Sequence, residues 1–479
     1  MGKPSLSLFQ NRLLRFGMSA VTILFIFLLI LPAGRLWSQA VSRVNAADLL
    51  SNRIVDDSSL RISLEFSWLK ELPARVLSKR PEVYTLRGGT QIQVRIETSA
   101  QNRDEFAIVF ARQYNGSFVS WAQGSWSLIR RRDNSPEDLR IIYFPRSDYN
   151  TYIQFRPFSN ERSVMDVVVY DSYVVRSLPV PVPFDRLYVL PVEDVLASLG
   201  PQFPRRYFDP DPGMYRDSRA FVSAVRSGLP ELVYVDDGAI DEAGRYVYIN
   251  SLLPQDPYAL ADSPGRGGLN CSGFAKWVVD GILRPFTNSR LQISPLKAPF
   301  GERGSSAVRA WEELRDPFFG LDWCRNLASQ AAAILRSPGF GTLDEIEVRI
   351  APFSQVLRRQ DGITSLSNYP GYVQNAGFGF EGLHPLLYTL AIDEPGMIYL
   401  AAVNEELGAP VTPDNPRGLP RMRQYYHVAV LVPYFSERGV FQVAVFESAS
   451  ETSITQFKNR YPGQFVNLVR IPIEGRFDP

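Results

Sequence analysis

Apolar and polar residues alternate along several short segments in the first third of the chain. Segment 90–97 alternates strictly, and similar segments with polar turns between them follow at 106–111, 125–129, 140–144, 152–155 and 165–170. Alternation with period two puts successive side chains on opposite faces of a strand. From about residue 60 to 173 the pattern therefore predicts an all-β sandwich, and we assign residues 50–178 to this domain.

The pattern changes after the alternating prolines Pro179, Pro181 and Pro183. Alternating proline favours the extended polyproline II conformation, so residues 179–190 are predicted to be a stiff linker. Beyond it, segments 192–199 and 218–227 have helical spacing, and the β-branched segments 427–432 and 440–447 predict strands. Residues 191–479 are thus predicted to form an α+β domain. A helical insertion is expected at about 284–382, with helices near 306–313 and 321–335.

The amino terminus has the pattern of an export signal. Lys3, Arg12 and Arg15 precede an apolar run at 16–33, and Ser38-Gln39-Ala40 follows it. A basic start, an apolar core and small residues are typical of a secretory signal, so residues 1–40 are predicted to direct export to the periplasm or cell envelope. The run is also long enough for an uncleaved signal anchor, which would be the only contact with the membrane.

Composition excludes several classes of function. The formal net charge is only +1, and the run Arg130-Arg131-Arg132 is the one basic cluster that stands out, so nucleic-acid binding is not expected. With two cysteines, two histidines and no Cys-x-x-Cys spacing, the chain has neither a disulfide framework nor a zinc motif. We therefore expect no metal and no cofactor.

A cysteine stands where a turn gives way to a helix. After Gly267-Gly268, apolar residues at 274, 277, 278 and 282 follow the spacing of one buried helix face, which puts Cys271 in the first turn. The helix dipole there favours a thiolate, and the backbone amides near Ser272 could hold an oxyanion. Cys271 could equally be a small buried residue. Cys324 shares a helical stripe with leucines and is predicted to lie in the core, although a disulfide to Cys271 is a second possibility.

The base that a catalytic cysteine needs must come from two histidines. His427 opens a predicted buried strand, and an antiparallel hairpin with the next strand would put Glu447 directly opposite it. A carboxylate at that position could orient the imidazole and stabilise its cation. His384, followed by Pro385, is predicted to lie at the start of an element instead. Three neighbours of Glu447 could also take its place: Ser448, Ser450 and Glu451.

These segments resemble motifs of the NlpC/P60 family of papain-like cysteine peptidases. Residues 270–274, Asn-Cys-Ser-Gly-Phe, are similar to its nucleophile motif, with asparagine where the family has aspartate. Residues 394–400 and 427–430 are similar to the strand before its histidine and to the histidine strand itself. Residues 446–450 occupy the place of its third polar residue, and Tyr258 lies near where the family has an active-site tyrosine.

The resemblance implies a papain-like fold for the carboxy-terminal domain and an enzymatic function. Cys271 would be the nucleophile, His427 the base and Glu447 the third member, with Tyr258 and Ser272 near the oxyanion. The implied substrate is a peptide bond in peptidoglycan. Five aromatic residues of the first domain could stack on sugars, although they could equally fill its core or edges: Trp121, Trp126, Tyr143, Tyr149 and Tyr152. Two alternatives are an amidase or acyltransferase of the same fold acting on lipids or small molecules, and a non-catalytic envelope binding protein.

Overall fold

A computed structural model describes most of the chain from residue 54 onward. The described residues are 54–98, 102–256, 267–300, 316–336, 341–350, 353, 355–360, 363–369, 371–374, 376–407, 422–473 and 476–479. The predicted export signal at 1–40, the predicted helix at 306–313 and Tyr258 lie outside them. Within these ranges, every helix is too short or too polar to span a bilayer.

The first sheet is antiparallel and follows the chain order through its first nine strands, except that β4 pairs only with β3. Its strands are β1 (Glu82–Thr85), β2 (Gln91–Thr98), β3 (Glu105–Tyr114), β4 (Ser117–Val119), β5 (Trp126–Arg131), β6 (Arg140–Tyr143), β7 (Thr151–Pro157), β8 (Ser163–Val169), β9 (Ser172–Val180), β12 (Gln355–Gln360) and β13 (Ile363–Asn368). All six predicted strands of this region are confirmed. Period-two alternation therefore located them correctly to within a few residues.

The segment before β1 is helical, which the prediction of strands from about residue 60 did not anticipate. It contains α1 (Ser58–Ser63), a π-helix (Glu65–Leu69) and α2 (Pro73–Val76). Leu60, Leu64 and Trp68 recur every four residues and are all buried. That spacing builds one face of a helix, so a helical period was present in the sequence and the prediction of strand here was wrong.

The predicted linker at 179–190 is part of the packed structure. β9 runs to Val180, and Pro179 lies opposite Val164 of β8. Proline is tolerated here because β12 pairs with β9 only at Ser172 and Tyr173, so the missing N–H costs no ladder bond. Residues 184–188 then form a 3-10 helix whose apolar side chains are buried. The prolines therefore end a strand, and the expected extended connection is absent from this part of the described chain.

The second sheet has six antiparallel strands in the order β14-β19-β15-β16-β17-β18. Its members are β14 (Phe378–Gly379), β15 (Met397–Leu407), β16 (Met422–Phe435), β17 (Phe441–Glu447), β18 (Ser450–Ser453) and β19 (Phe465–Pro472), and β10 (Gly238–Ile240) pairs separately with β11 (Tyr246–Tyr248). The predicted strands at 427–432 and 440–447 are confirmed as β16 and β17. They lie at the centre of the sheet and toward one edge.

The helices that follow the first nine strands are α3 (Val192–Ala197), α4 (Arg216–Gly228), α5 (Cys271–Thr287), α6 (Ile293–Leu296), α7 (Phe319–Leu335), α8 (Leu343–Ile346), α9 (Leu383–Asp393) and α10 (Ile454–Arg460). Six of them contact the second sheet, namely α4, α5, α7, α8, α9 and α10. α5 packs against α7, β10 and β16, and is buried on nearly every side. Its ion pair of Lys276 with Asp280, at 2.6 Å, is shielded from solvent. The helix that begins with Cys271 is therefore held rigidly in the core.

The described part of the predicted insertion at 284–382 packs against both sheets and is not a separate unit. α7, predicted at 321–335, packs against both α5 and the second sheet, and the hairpin of β12 and β13 extends the first sheet. Tyr170, after β8, stacks on His384 of α9 with ring centroids 3.8 Å apart. Residues 54–479 form one compact unit. The fold is α+β, with antiparallel, sandwich-like sheets.

The aromatic residues suggested for glycan contact differ in their exposure. Trp126 and Tyr143 are buried in the core of the first sheet. Tyr149 is exposed, and its ring lies edge-on to Trp121 at 6.2 Å. Tyr152 packs beside Phe144. Of the suggested residues, only Trp121 and Tyr149 thus present an aromatic pair near the surface.

Candidate active site

The start of α5 is built by a side-chain cap. Asn270 has an extended backbone, and its Oδ1 accepts a hydrogen bond from the Gly273 N–H at 2.8 Å. Asparagine is as good a helix cap as aspartate because both offer an oxygen to an otherwise unpaired amide. Cys271 is the first residue of the helix and is half-buried. The predicted turn-to-helix position of the cysteine is confirmed.

Two contacts fix this helix start against its neighbours. Gly273 lies so close to β10 that a Cβ atom would be 2.0 Å from the Gly238 carbonyl oxygen. On the other side, the Trp323 indole N–H of α7 donates to the Ser272 carbonyl at 2.9 Å. Ser272 is only 3% exposed. Small residues at 272 and 273 therefore let the backbone approach closely and hold Cys271 in place.

His427 and Glu447 meet, as predicted. The distance from His427 Nε2 to Glu447 Oε1 is 2.8 Å, and the Glu447 side chain is buried. The predicted register was wrong by two residues, since the ladder pairs Val430 with Phe446. The turn between the two strands, bounded by Ser436 and Val440, is centred one residue later in the chain than expected. An even shift keeps both side chains on one face of the sheet, which is why the contact survives.

A β-bulge lies beside the histidine. β15 pairs Val403 with His427 but Asn404 with Tyr425, so Tyr426 is an extra residue in β16. Bulges bend a strand and re-aim side chains, and they are frequent next to functional sites. Here the bulge falls directly before His427, where β17 no longer pairs with β16.

The His427 imidazole lies within interaction range of the Cys271 thiol. Glu447 contacts Nε2, which leaves Nδ1 as the ring nitrogen available to the thiol. The Val428 backbone N–H also interacts with the thiol. The structure thus brings Cys271, His427 and Glu447 together, with the imidazole in contact with the carboxylate and near the sulfur.

The environment favours the thiolate. Burial alone would raise the pKa of Cys271, but the hydrogen bond and charge of His427, the Val428 amide and the Ser272 side chain outweigh it and lower the pKa. A cysteine with a depressed pKa beside an imidazole is the arrangement that activates a thiol as a nucleophile. The first helical hydrogen bond is made by Phe274, so the amides of Cys271 and Ser272 precede it and point out of the helix start.

Three residues at the site were missed by the sequence analysis. Arg460, the last residue of α10, pairs with Glu447 Oε2. Tyr461 lies beside the His427 ring at 6.1 Å between centroids, and Tyr234 lies near Cys271 before β10. Burial is the main reason that the pKa values of both tyrosines are raised, and the negative charge of Cys271 adds to it. The box of Ser453 and Gln456 could have located the start of α10, but nothing local indicated that it ends at the site.

The remaining predicted residues have other surroundings. Cys324 is fully buried in α7, and both cysteines are free, so the prediction of core packing is confirmed. His384 lies at the start of α9, as predicted, and burial lowers its pKa to about 3. Of the alternatives to Glu447, Ser450 donates to the Glu447 carbonyl and Glu451 pairs with Arg226. Among the described residues, no group of three or more acidic, histidine or cysteine side chains is placed to bind a metal ion.

Comparisons with known proteins reach the first sheet only. The family described as "Domain of unknown function (DUF8515)" matches residues 51–207. This segment runs from α1 through β9 and α3, and it ends before α5 and the site. No curated protein and no solved structure matches the chain.

Proposed function

We propose that the protein is an exported cysteine hydrolase that cleaves amide bonds, with a carboxy-terminal domain of the papain-like NlpC/P60 type. The observation that carries the proposal is the His427–Glu447 contact beside Cys271, which lies at the start of a buried helix. A core cysteine needs neither a histidine nor a lowered pKa, and Cys324, whose pKa burial raises well above its ordinary value, is the contrast within the same chain.

The reaction follows from the geometry. His427 takes the thiol proton through Nδ1, while Glu447 at Nε2 stabilises the imidazolium. The thiolate attacks an amide carbonyl, and the amides of Cys271 and Ser272 stabilise the oxyanion that forms. His427 then protonates the departing amine. Water, deprotonated by His427, hydrolyses the thioester and restores the thiol.

The proposed substrate is a peptide bond of peptidoglycan. It rests on the resemblance of residues 270–274 and 427–430 to the peptidase motifs and on the export signal predicted at 1–40. Asn270 keeps the cap that the family's aspartate would make, so this departure leaves the helix start intact. The surface pair of Trp121 and Tyr149 is the place in the first sheet where a sugar ring could stack.

The test compares two single-cysteine replacements in the full-length protein. Cys271→Ala and the matched control Cys324→Ala are incubated with purified peptidoglycan, and new amino termini are identified by mass spectrometry. We expect hydrolysis by the wild type and the control, and none by Cys271→Ala. Undiminished hydrolysis by Cys271→Ala would refute the proposal. If the wild-type acyl-enzyme resists water and passes its acyl group only to added amines or alcohols, an acyltransferase would be favoured.

A further inference from the structure

Glu447 is a buried carboxylate with a basic side chain at each oxygen. Oε1 contacts His427 Nε2 at 2.8 Å, and Oε2 pairs with an Arg460 guanidinium nitrogen. The residue is only 4% exposed. A buried carboxylate is costly unless both oxygens are satisfied, so the second partner matters as much as the first.

Arg460 reaches Glu447 from a different element than the histidine. It ends α10, which begins at a reciprocal cap between Ser453 and Gln456 and packs on β17 and β18. Its guanidinium lies over the rings of Phe457 and Tyr461, at 5.9 Å and 5.7 Å. About half of the arginine side chain is exposed, so a replacement removes little core packing.

We propose that Arg460 is a positioning residue that acts through Glu447 to hold His427 and Cys271 as a reactive pair. The inference rests on the proposed function. By fixing Oε2, the guanidinium prevents rotation of the carboxylate and keeps Oε1 directed at Nε2. Its charge also keeps Glu447 ionised, and only the ionised carboxylate stabilises the imidazolium that accompanies the thiolate.

Several charged and titratable groups lie on the elements around Glu447. β16 contributes His427, and Arg460 and Tyr461 lie at and after the end of α10. Glu451 of β18 is paired with Arg226 of α4 at 2.7 Å. Arg226 therefore provides a matched control, because it is an equally exposed arginine that pairs with a neighbouring glutamate instead of Glu447.

The measurement is the rate of alkylation of Cys271 by iodoacetamide as a function of pH, followed by mass spectrometry of its peptide. The reagent is neutral, so Arg460 does not attract it, and no substrate needs to be known. For Arg460→Gln we expect the acid limb of the profile to move up by about one pH unit, because Glu447 would take up a proton at higher pH. Arg460→Lys keeps the positive charge, so its acid limb should stay close to the wild-type position. Arg226→Gln should match the wild type.

A double variant decides whether Arg460 acts through Glu447. In the Glu447→Gln background, adding Arg460→Gln should cause no further shift, since interacting residues are not additive. A second readout is the imidazole nitrogen spectrum, which is simple because the chain has only two histidines. At a pH where His427 is neutral, the wild type should hold the proton on Nε2, and Arg460→Gln should show a mixture of tautomers.

Each outcome has a defined consequence. If Arg460→Gln has the wild-type profile, or shifts it equally when Glu447 is already replaced, the inference is overturned while the proposed function stands. If wild-type Cys271 reacts like an ordinary thiol and His427→Gln changes nothing, the proposed function itself fails. Melting temperatures of all variants show whether an altered profile comes with loss of the fold. If Arg460→Gln does not fold, the tautomer measurement is made on Arg460→Lys. Because lysine keeps the charge, a mixture of tautomers in that variant, instead of the proton on Nε2, would overturn the charge-based role.

Discussion

Replacing Asn270 by aspartate tests how the helix cap tunes the nucleophile. The two side chains have the same shape, so the aspartate would still accept the Gly273 N–H, which Asn270 Oδ1 now accepts at 2.8 Å. The change adds one negative charge directly before Cys271. Because the thiolate is also an anion, we expect the pKa of Cys271 to rise in Asn270→Asp.

The size of the effect follows from Coulomb's law. For charges about 6 Å apart and an effective dielectric constant of about 40 at this half-buried position, repulsion costs about 1.4 kcal/mol. That energy corresponds to about one pKa unit. The helix dipole stabilises the new carboxylate as well, but it does so whether or not the thiol is ionised, so it does not cancel the shift.

The assay is iodoacetamide alkylation of Cys271 across a pH series, with Asn270→Ser as the matched control because serine caps the helix without a charge. Below the thiol pKa, Asn270→Asp should react about tenfold more slowly than Asn270→Ser. At high pH, where the thiol is fully ionised in both, the rates should converge. Identical profiles for the two variants would refute the reasoning that the cap's charge reaches the sulfur.

Three further predictions concern stability. In Gly273→Ala the new Cβ would lie 2.0 Å from the Gly238 carbonyl oxygen, so we expect more than about 2 kcal/mol of destabilisation in urea unfolding. Gly379→Ala, whose Cβ would meet only ordinary contacts from 3.7 Å, should be nearly neutral, and equal midpoints for the two would contradict the steric argument. Ala449 has a φ of 70°, a left-handed conformation that costs an L-residue about 1–2 kcal/mol. Ala449→Gly should therefore raise the free energy of unfolding by up to about 1 kcal/mol, and a decrease would count against it. Burial lowers the pKa of His384 to about 3, so below pH 6.5 the unfolded chain binds a proton that the folded chain does not. That contribution to stability is complete above pH 6.5 and declines on acidification, by about 2 kcal/mol at pH 5. His384→Gln should lose this part of the pH dependence, and the same slope in both proteins would exclude His384 as its source.

Local patterns were enough to find the proposed nucleophile and its proposed base. The helix start at Cys271 could be predicted because a cap and the apolar helix face are both written within a few neighbouring residues. The pairing of His427 with Glu447 was predicted through a register that was off by two, and an even error preserves the face. Arg460 could not be found in this way, since its place depends on how α10 packs after the β17–β18 turn.

The pairing of β9 with β12 could not be predicted from local patterns. Gln355 and Val356 of β12 pair with Tyr173 and Ser172 of β9, although the two strands are far apart in the chain. The sequence around Pro179 has the composition of a linker, and only the absence of a β12 partner beside it allows it to end a strand instead. Proline patterns specify which backbone bonds are missing, but the neighbours that tolerate this are set by tertiary packing.

Two features of the site concern its charge: asparagine at 270, where the resembled family has aspartate, and Arg460, which the sequence did not indicate. A neutral cap at Asn270 leaves out a negative charge on one side of the sulfur, and Arg460 adds a positive charge behind the carboxylate that supports His427. The neutral cap favours the thiolate because it puts no anion beside the sulfur, and the proposed effect of Arg460 on the imidazolium runs only through Glu447, which it keeps ionised. A binding module would gain nothing from either, since a neutral thiol packs as well as an ionised one. The charges around Cys271, more than the presence of the cysteine itself, are therefore the strongest physical reason to regard this site as reactive.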